Sequence, residues 1–360
     1  MRRLLYLCMV LGTAGLLTAP QAGASGYDPV ASGTTTLRLA SSFTALLKSH
    51  GVRLEGKGGV TVHGSSVTFP VAEGKLEPVE SKGTIGHSGQ LVFVAGRRRL
   101  PLRSLQLKTT RPSSPYAAKL GGGQLRLTEG ARLTDARRGF GTRFRTTGMT
   151  LSAKVATRLD KKLRLPGVFA AGQPFASAQT SVEPSTVGLA PTGKLELTLD
   201  PAFAARLQSF FVAVNPIFPA EHPGAFTFPI GGGVLAPSGS SGLVKSSGGI
   251  EFIQVGGGQF FLKEPELEIA TGQVVAGHQL VLASSGPGPV SAGPILGLGV
   301  GSFTSEPAAR TITSSGSTLT LGQTMAQAFD EAFARPLGRP DSSFQAGEVL
   351  GTVSYTAVGE

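Results

Sequence analysis

The chain has 360 residues, 40% of them hydrophobic and 15% charged, with 51 glycines, 24 prolines and a net charge of +11. That is apolar enough for a real core and long enough for two or three domains, while glycine and proline at this density exclude long helices and favour strands. A single cysteine excludes a disulfide framework.

The N-terminus carries Arg2 and Arg3, an apolar run from Leu4 to Leu17 and a small-residue Ala22-Gly23-Ala24 site. The run is shorter than the about 20 residues that a bilayer span needs. Residues 1–24 therefore read as a signal peptide cut after Ala24, and the mature protein as secreted, extracellular or cell-wall associated. Cys8 lies inside this leader, so the mature chain has no thiolate metal site and no cysteine nucleophile. No later apolar stretch is long enough for a transmembrane segment once the signal peptide is removed.

Beyond the leader, the chain repeats itself. Phe69-Pro70, Gly74, Leu76, Pro78, Gly83, Gly89 and Phe93 recur, without a gap, as Phe228-Pro229, Gly233, Leu235, Pro237, Gly242, Gly248 and Phe252. Each copy opens with a Leu-x-Leu strand end, Leu37-Arg38-Leu39 or Leu195-Glu196-Leu197, followed by apolar residues at helical spacing. Ser41 and Asp200 are candidate N-caps for these helices. An alternating strand, Leu102 to Leu107, matches Leu262 to Ile269; a late helix, Leu151 to Asp160, matches Leu321 to Asp330. Each copy then closes on a turn, Phe169–Gly172 or Phe344–Gly347. The expected fold is mainly β: two tandem β-sandwich-like domains, residues 25–185 and 186–360, each with about two short helices.

Charge separates the copies. Residues 25–185 hold 24 Lys and Arg against 9 Asp and Glu, a balance of +15; residues 186–360 hold 7 against 13, a balance of −6. Arg97-Arg98-Arg99 and the group Arg137, Arg138, Arg143 and Arg145 are the densest basic spots. Such a patch suits anionic cell-envelope components, such as surface polymers or lipid headgroups, or a carboxylate-bearing ligand. The competing reading is a solvated face, or attraction between the two copies. Nucleic acid is not expected, because the chain reads as exported and lacks aromatic residues interleaved with its cations.

Catalytic patterns are missing. His50, His63, His87, His222 and His278 show no metal-ligand spacing. There is no nucleophile elbow or phosphate loop. The triple glycines at 121–123, 231–233 and 256–258 read as hairpin turns. Glu264, Glu266 and Glu268 alternate on the solvated side of one strand, and no pair of facing acids can be assigned. No catalytic residue, metal site or enzymatic activity is expected. His87 stands out, flanked by Gly86 and Gly89 at what reads as a turn into a strand, which would expose its imidazole at the mouth of a sandwich.

These phrases together resemble the HtaA domain, a repeated exported module of actinobacterial haem uptake. The resemblance rests on Ser42-Phe43 in the opening helix, the Phe69-Pro70 strand, the Gly83 to Leu91 phrase containing His87, the late helix and the Phe-x-x-Gly close. It covers nearly all of both copies, and implies a β-rich two-layer fold with a haem pocket. Within the family a tyrosine of the opening helix would ligate iron, supported by the histidine of the Gly-His phrase. Here Ser246 replaces that histidine in the second copy, and Leu46 and Leu207 stand near the position of the tyrosine.

The leading expectation is thus a non-enzymatic, exported or envelope-associated binding protein with two such domains. One alternative is a haem-binding uptake module acting through the first copy, with His87 in the site and Arg97, Arg98 and Arg99 near the propionates. Another is a structural envelope protein without a small-molecule ligand.

Overall fold

The computed structural model describes residues 27–360. The expected leader and Cys8 lie outside them. The fold is mainly β, with all strand pairs antiparallel and few helices. Residues 28–184 build one 13-stranded sheet and residues 187–358 a 12-stranded one.

Both sheets run in the same order. In the first half, neighbouring strands are Gly141–Leu151, Pro174–Pro184, Asp28–Leu39, Ser66–Leu76, Gly83–His87 and Arg98–Lys108. In the second they are Thr311–Leu321, Val349–Val358, Lys194–Leu199, Phe226–Leu235, Gly242–Ser246 and Gln259–Glu268. Pairing continues through Gln273–Leu282 and Gly286–Leu298 back to Thr311–Leu321, so each sheet folds around its own core. The first half closes the same way through Tyr116–Leu120, Gln124–Arg126 and Thr128–Glu129. Period-2 alternation drives this closure: Leu37, Leu39, Val67 and Phe69 point inward and are buried, and the residues between them face water.

Helices close one end of each ring. Helix α1 (Ser41–Ser49) buries Phe43 and Leu47, and α2 (Ala153–Leu163) buries Val155, Ala156, Leu159 and Leu163. Their counterparts are α3 (Pro201–Ser209), burying Phe203 and Leu207, and α4 (Gln323–Phe329), burying Met325, Ala326 and Phe329. Asp200 caps α3 by accepting from Ala202 and Phe203 amides; Ser152, not Ser41, is the side chain that caps a helix in the first half. Asp160, in the last turn of α2, and Asp330, just after α4, each accept the amide of the closing phenylalanine, Phe169 or Phe344.

Strand pairing corrects two readings. Thr35 pairs with Phe69 as Leu195 pairs with Phe228, so the opening strands align two residues away from the Leu-x-Leu match, and Leu37 corresponds to Leu197. On the helix, Leu207 therefore corresponds to Leu47, and Arg206 stands opposite Leu46. Gly231–Gly233 is no hairpin turn. It lies inside the Phe226–Leu235 strand beside a bulge, because Gly233 at φ +129° brings its Cα against the Leu243 carbonyl, where a Cβ would sit 2.2 Å from the oxygen.

The two halves meet around Asp28. Its carboxylate accepts the Gly188 amide at 3.0 Å and lies 4.0 Å from the Arg310 guanidinium. Arg310 donates to the Gly139 and Phe140 carbonyls at 3.3 Å and covers the Phe140 ring. Phe140, a first-half residue, is counted in the second half's core.

Candidate functional site

His87 ends the Gly83–His87 strand, inside the first core and only 7% exposed. The expectation of an exposed imidazole at a turn is therefore wrong. His87 shares the inward side of its strand with buried Ile85, and the turn is formed by the next residues, where Gly89 packs closely against the Gly58 carbonyl. His87 Nδ1 lies 2.9 Å from the Leu105 carbonyl, which can only accept, so Nδ1 carries the proton. Nε2 then accepts from Thr35 Oγ1 at 2.6 Å, Thr35 accepts from Thr180 at 2.6 Å, and Thr180 accepts from the Tyr116 hydroxyl at 3.1 Å. This chain of donors runs one way and ends on a neutral imidazole. Burial drives the same result: it pushes His87 down to about 4 and the Tyr116 phenol up.

Arg97, Arg98 and Arg99 are not brought to His87. They occupy the hairpin at the opposite end of the Arg98–Lys108 strand, seven residues from Leu105, or about 20 Å along a strand. Arg97 is exposed in the turn, Arg98 donates to the Leu163 carbonyl at 3.1 Å and caps the end of α2, and Arg99 is ion-paired with Glu55. Two of the three are thus engaged within the fold.

Unengaged cations gather elsewhere, on the outer side of the first sheet. Thr36 pairs with Gln179, Gln179 with Arg145, and Arg145 with Thr134, so these side chains share one row across four strands. Arg38 and Ser177 form the neighbouring row, and Arg143 and Ser181 the next. Thr36, Arg38, Arg145, Ser177, Ala178 and Gln179 line a trough of about 410 Å3. Arg38, Arg143 and Arg145 have no ion-pair partner among the described residues, and Arg143 Nε is buried without a hydrogen bond. Arg137 projects to the opposite side, where its charge acts on Asp28 and Arg310 at the joint. Reading the sequence found Arg143 and Arg145 but missed Arg38, which joins them only through strand pairing.

A second basic groove, about 510 Å3, runs along the exposed side of α2 between Lys154, Arg158, Lys161 and Lys162. It too was missed. The signal was present in the helical periodicity, since these residues alternate with the buried Val155, Leu159 and Leu163.

Haem does not fit at His87 as it is placed here. Both ring nitrogens are hydrogen-bonded, the ring packs edge-on to Phe69, and no tyrosine stands on α1 or α3. Among the described residues no group of three His, Cys, Asp or Glu could hold a metal ion, and no helix is long and apolar enough to cross a membrane.

No protein-family model matches the chain, and no curated protein sequence is similar to it. Among solved structures, the chain is similar to the C-terminal domain of HtaA from Corynebacterium glutamicum, with 15% identity over 48% of this chain and 98% of that one, at a TM-score of 0.38. A domain-swapped dimer of the H434A variant of the same domain aligns at 13% identity over 44% of this chain and 91% of that one, with a TM-score of 0.34.

Proposed function

We propose that this chain is an exported, non-enzymatic binding protein whose first half holds an anionic partner of the cell envelope while the second half serves as its scaffold. The observation that supports this most is the placement of the basic residues. Arg38, Arg143 and Arg145 stand on one open face without an ion-pair partner among the described residues; the acid of the Pro174–Pro184 strand, Glu183, lies beyond Ser181 and over Gly141. At the corresponding positions of the second half stand Thr198, Thr313 and Ser315. Unpaired guanidinium groups on a rigid sheet keep their charge available to a ligand and lose little freedom on binding it. A merely solvated basic face would be expected to pair its cations with acids, as Lys245–Glu266 and Lys194–Glu196 do on the second half.

Haem is left out of this proposal, because the residue that would support it is consumed by the core. The test is retention of the chain from residue 25 onward on anionic and neutral polysaccharide beads as salt rises from about 0.05 to about 0.5 M, across the range where exposed charges become screened. Retention on the anionic beads alone, lost with salt, is expected. Failure to bind any anionic matrix at the lowest salt would overturn the reading.

A further inference from the structure

Resting on that reading, we infer that the outer face of the first sheet, and not the α2 groove, is the binding site, and that its ligand is a linear polysaccharide carrying carboxylates on some of its sugars.

The face has three properties that together select such a polymer. Its cations are arginines, whose planar forks match a carboxylate with two parallel hydrogen bonds. The α2 groove offers mostly lysines, which act as point charges, and its one arginine, Arg158, already donates to the Gly121 carbonyl. The cations of the face are also separated by neutral groups able to bond a sugar hydroxyl. Arg38 and Arg145 flank the Pro174–Pro184 strand, two strand spacings or about 10 Å apart, with Ser177 and Gln179 between them. A chain that alternates charged and neutral hydroxyl-bearing sugars presents the same alternation. A phosphate polymer with a charge on every unit would leave Ser177 and Gln179 against anions that they satisfy less well than a guanidinium does.

The third property is what the face lacks. Its inward-pointing neighbours, Phe69, Phe144 and Leu37, are buried, and the outward positions on the central strands hold Thr, Ser, Gln and Arg, with Pro70 and Glu183 beyond the trough and no aromatic residue. Without an aromatic platform there is nothing for a nucleobase to stack on. The orphaned Nε of Arg143, one row from the trough, is a donor already desolvated by the fold and in want of an acceptor.

The experiment compares Arg38→Gln/Arg145→Gln with Lys154→Gln/Lys161→Gln in the full chain, measuring affinity for a hyaluronan oligosaccharide, which alternates a uronate with a neutral sugar, for polyphosphate of similar length and for uncharged dextran. All four side chains are exposed, and circular dichroism checks that both variants fold. The expected result is that the arginine pair weakens hyaluronan binding about ten-fold or more, the helix pair changes it less than about two-fold, and dextran does not bind. Polyphosphate should bind more weakly than the hyaluronan oligosaccharide. Loss of binding through the helix pair, or an unchanged affinity in the arginine pair, overturns the site. Tighter binding of polyphosphate overturns the carboxylated ligand while leaving the anion-binding reading intact. No binding of either polyanion defeats both.

Discussion

Where the first half buries His87, Thr35, Thr180 and Tyr116, the second half has Ser246, Leu195, Tyr355 and Val274 at the same places in the same sheet. One link survives in both: Ser246 donates to the Pro265 carbonyl at 2.6 Å, as His87 does to Leu105. The rest of the polar chain is replaced by apolar groups. Val274 is too small to fill the space that Tyr116 occupies, and a closed apolar cavity of about 20 Å3 remains, bordered by Leu195, Phe228, Pro265 and Val274. A buried polar network must be satisfied throughout or replaced throughout, because a half-satisfied one costs more than an apolar core. The two halves took the two solutions on one scaffold. Tyr355 marks the incomplete step, since its buried hydroxyl has no hydrogen-bond partner.

The most damaging way to erase this difference is to give the first half the second half's residue at its largest buried side chain. Tyr116→Val removes a fully buried ring and leaves the Thr180 hydroxyl without its donor. A loss of about 4 kcal/mol is expected, combining a cavity with an unmade hydrogen bond. Amide exchange of the full chain reads each half separately. Protection should fall in strands of residues 28–184 and stay unchanged in residues 187–358. Equal loss in both would show that the halves unfold as one cooperative unit, coupled through Phe140 and Arg310.

Acid should distinguish the halves next. His87 titrates near 6.5 in an unfolded chain and at about 4 in the fold. Between these values the unfolded chain binds a proton that the folded one refuses, so the first half loses stability as pH falls from about 6.5 to about 4, by on the order of 3 kcal/mol in all. Above pH 6.5 the stabilisation is complete. Asp28 and Asp330, both pushed up by burial, work in the opposite sense and cannot mimic the loss. His87→Ser, the second half's residue, should flatten the slope although it lowers stability at neutral pH. Persistence of the slope in that variant would assign it to other groups.

Much of this architecture can be read from the chain before folding. Phe69-Pro70 and its twin lie within matching strands, and Gly89 and its twin make tight approaches that backbone geometry demands, so the repeat and the β-rich class were legible. The site was not, for a specific reason. Charge runs along the chain drew attention to Arg97–Arg99, yet in a hairpin neighbouring residues alternate sides and find local partners, as Arg99 finds Glu55 and Arg98 the end of α2. A binding face on a sheet is assembled across strands. Arg38 and Arg145 are more than a hundred residues apart in sequence, and only the pairing of both strands with Pro174–Pro184 unites them. His87 misled in the opposite way: flanking glycines suggest exposure, but it alternates with buried Ile85 on the inward side of its strand. Thr35, two residues before Leu37 and on the same inward side, was the available hint that a polar partner waited in the core.

The smallest expected effect tests whether the second half's apolar solution is finished. Its cavity is closed and lined by carbon, so a water inside would have no polar partners and the space should stay dry. Val274→Ile adds one methylene on the wall of that space without changing the β-branch that suits its strand. If the cavity accepts it, the second half gains up to about 0.8 kcal/mol, the transfer free energy of one methylene group. If neighbours must shift, strain cancels the gain and the sign reverses. The reciprocal change in the first half has no such room, because Tyr116 and its partners already occupy the space. A stabilisation confined to residues 187–358 in exchange measurements would therefore show that the second half exchanged a polar network for packing it has not completed.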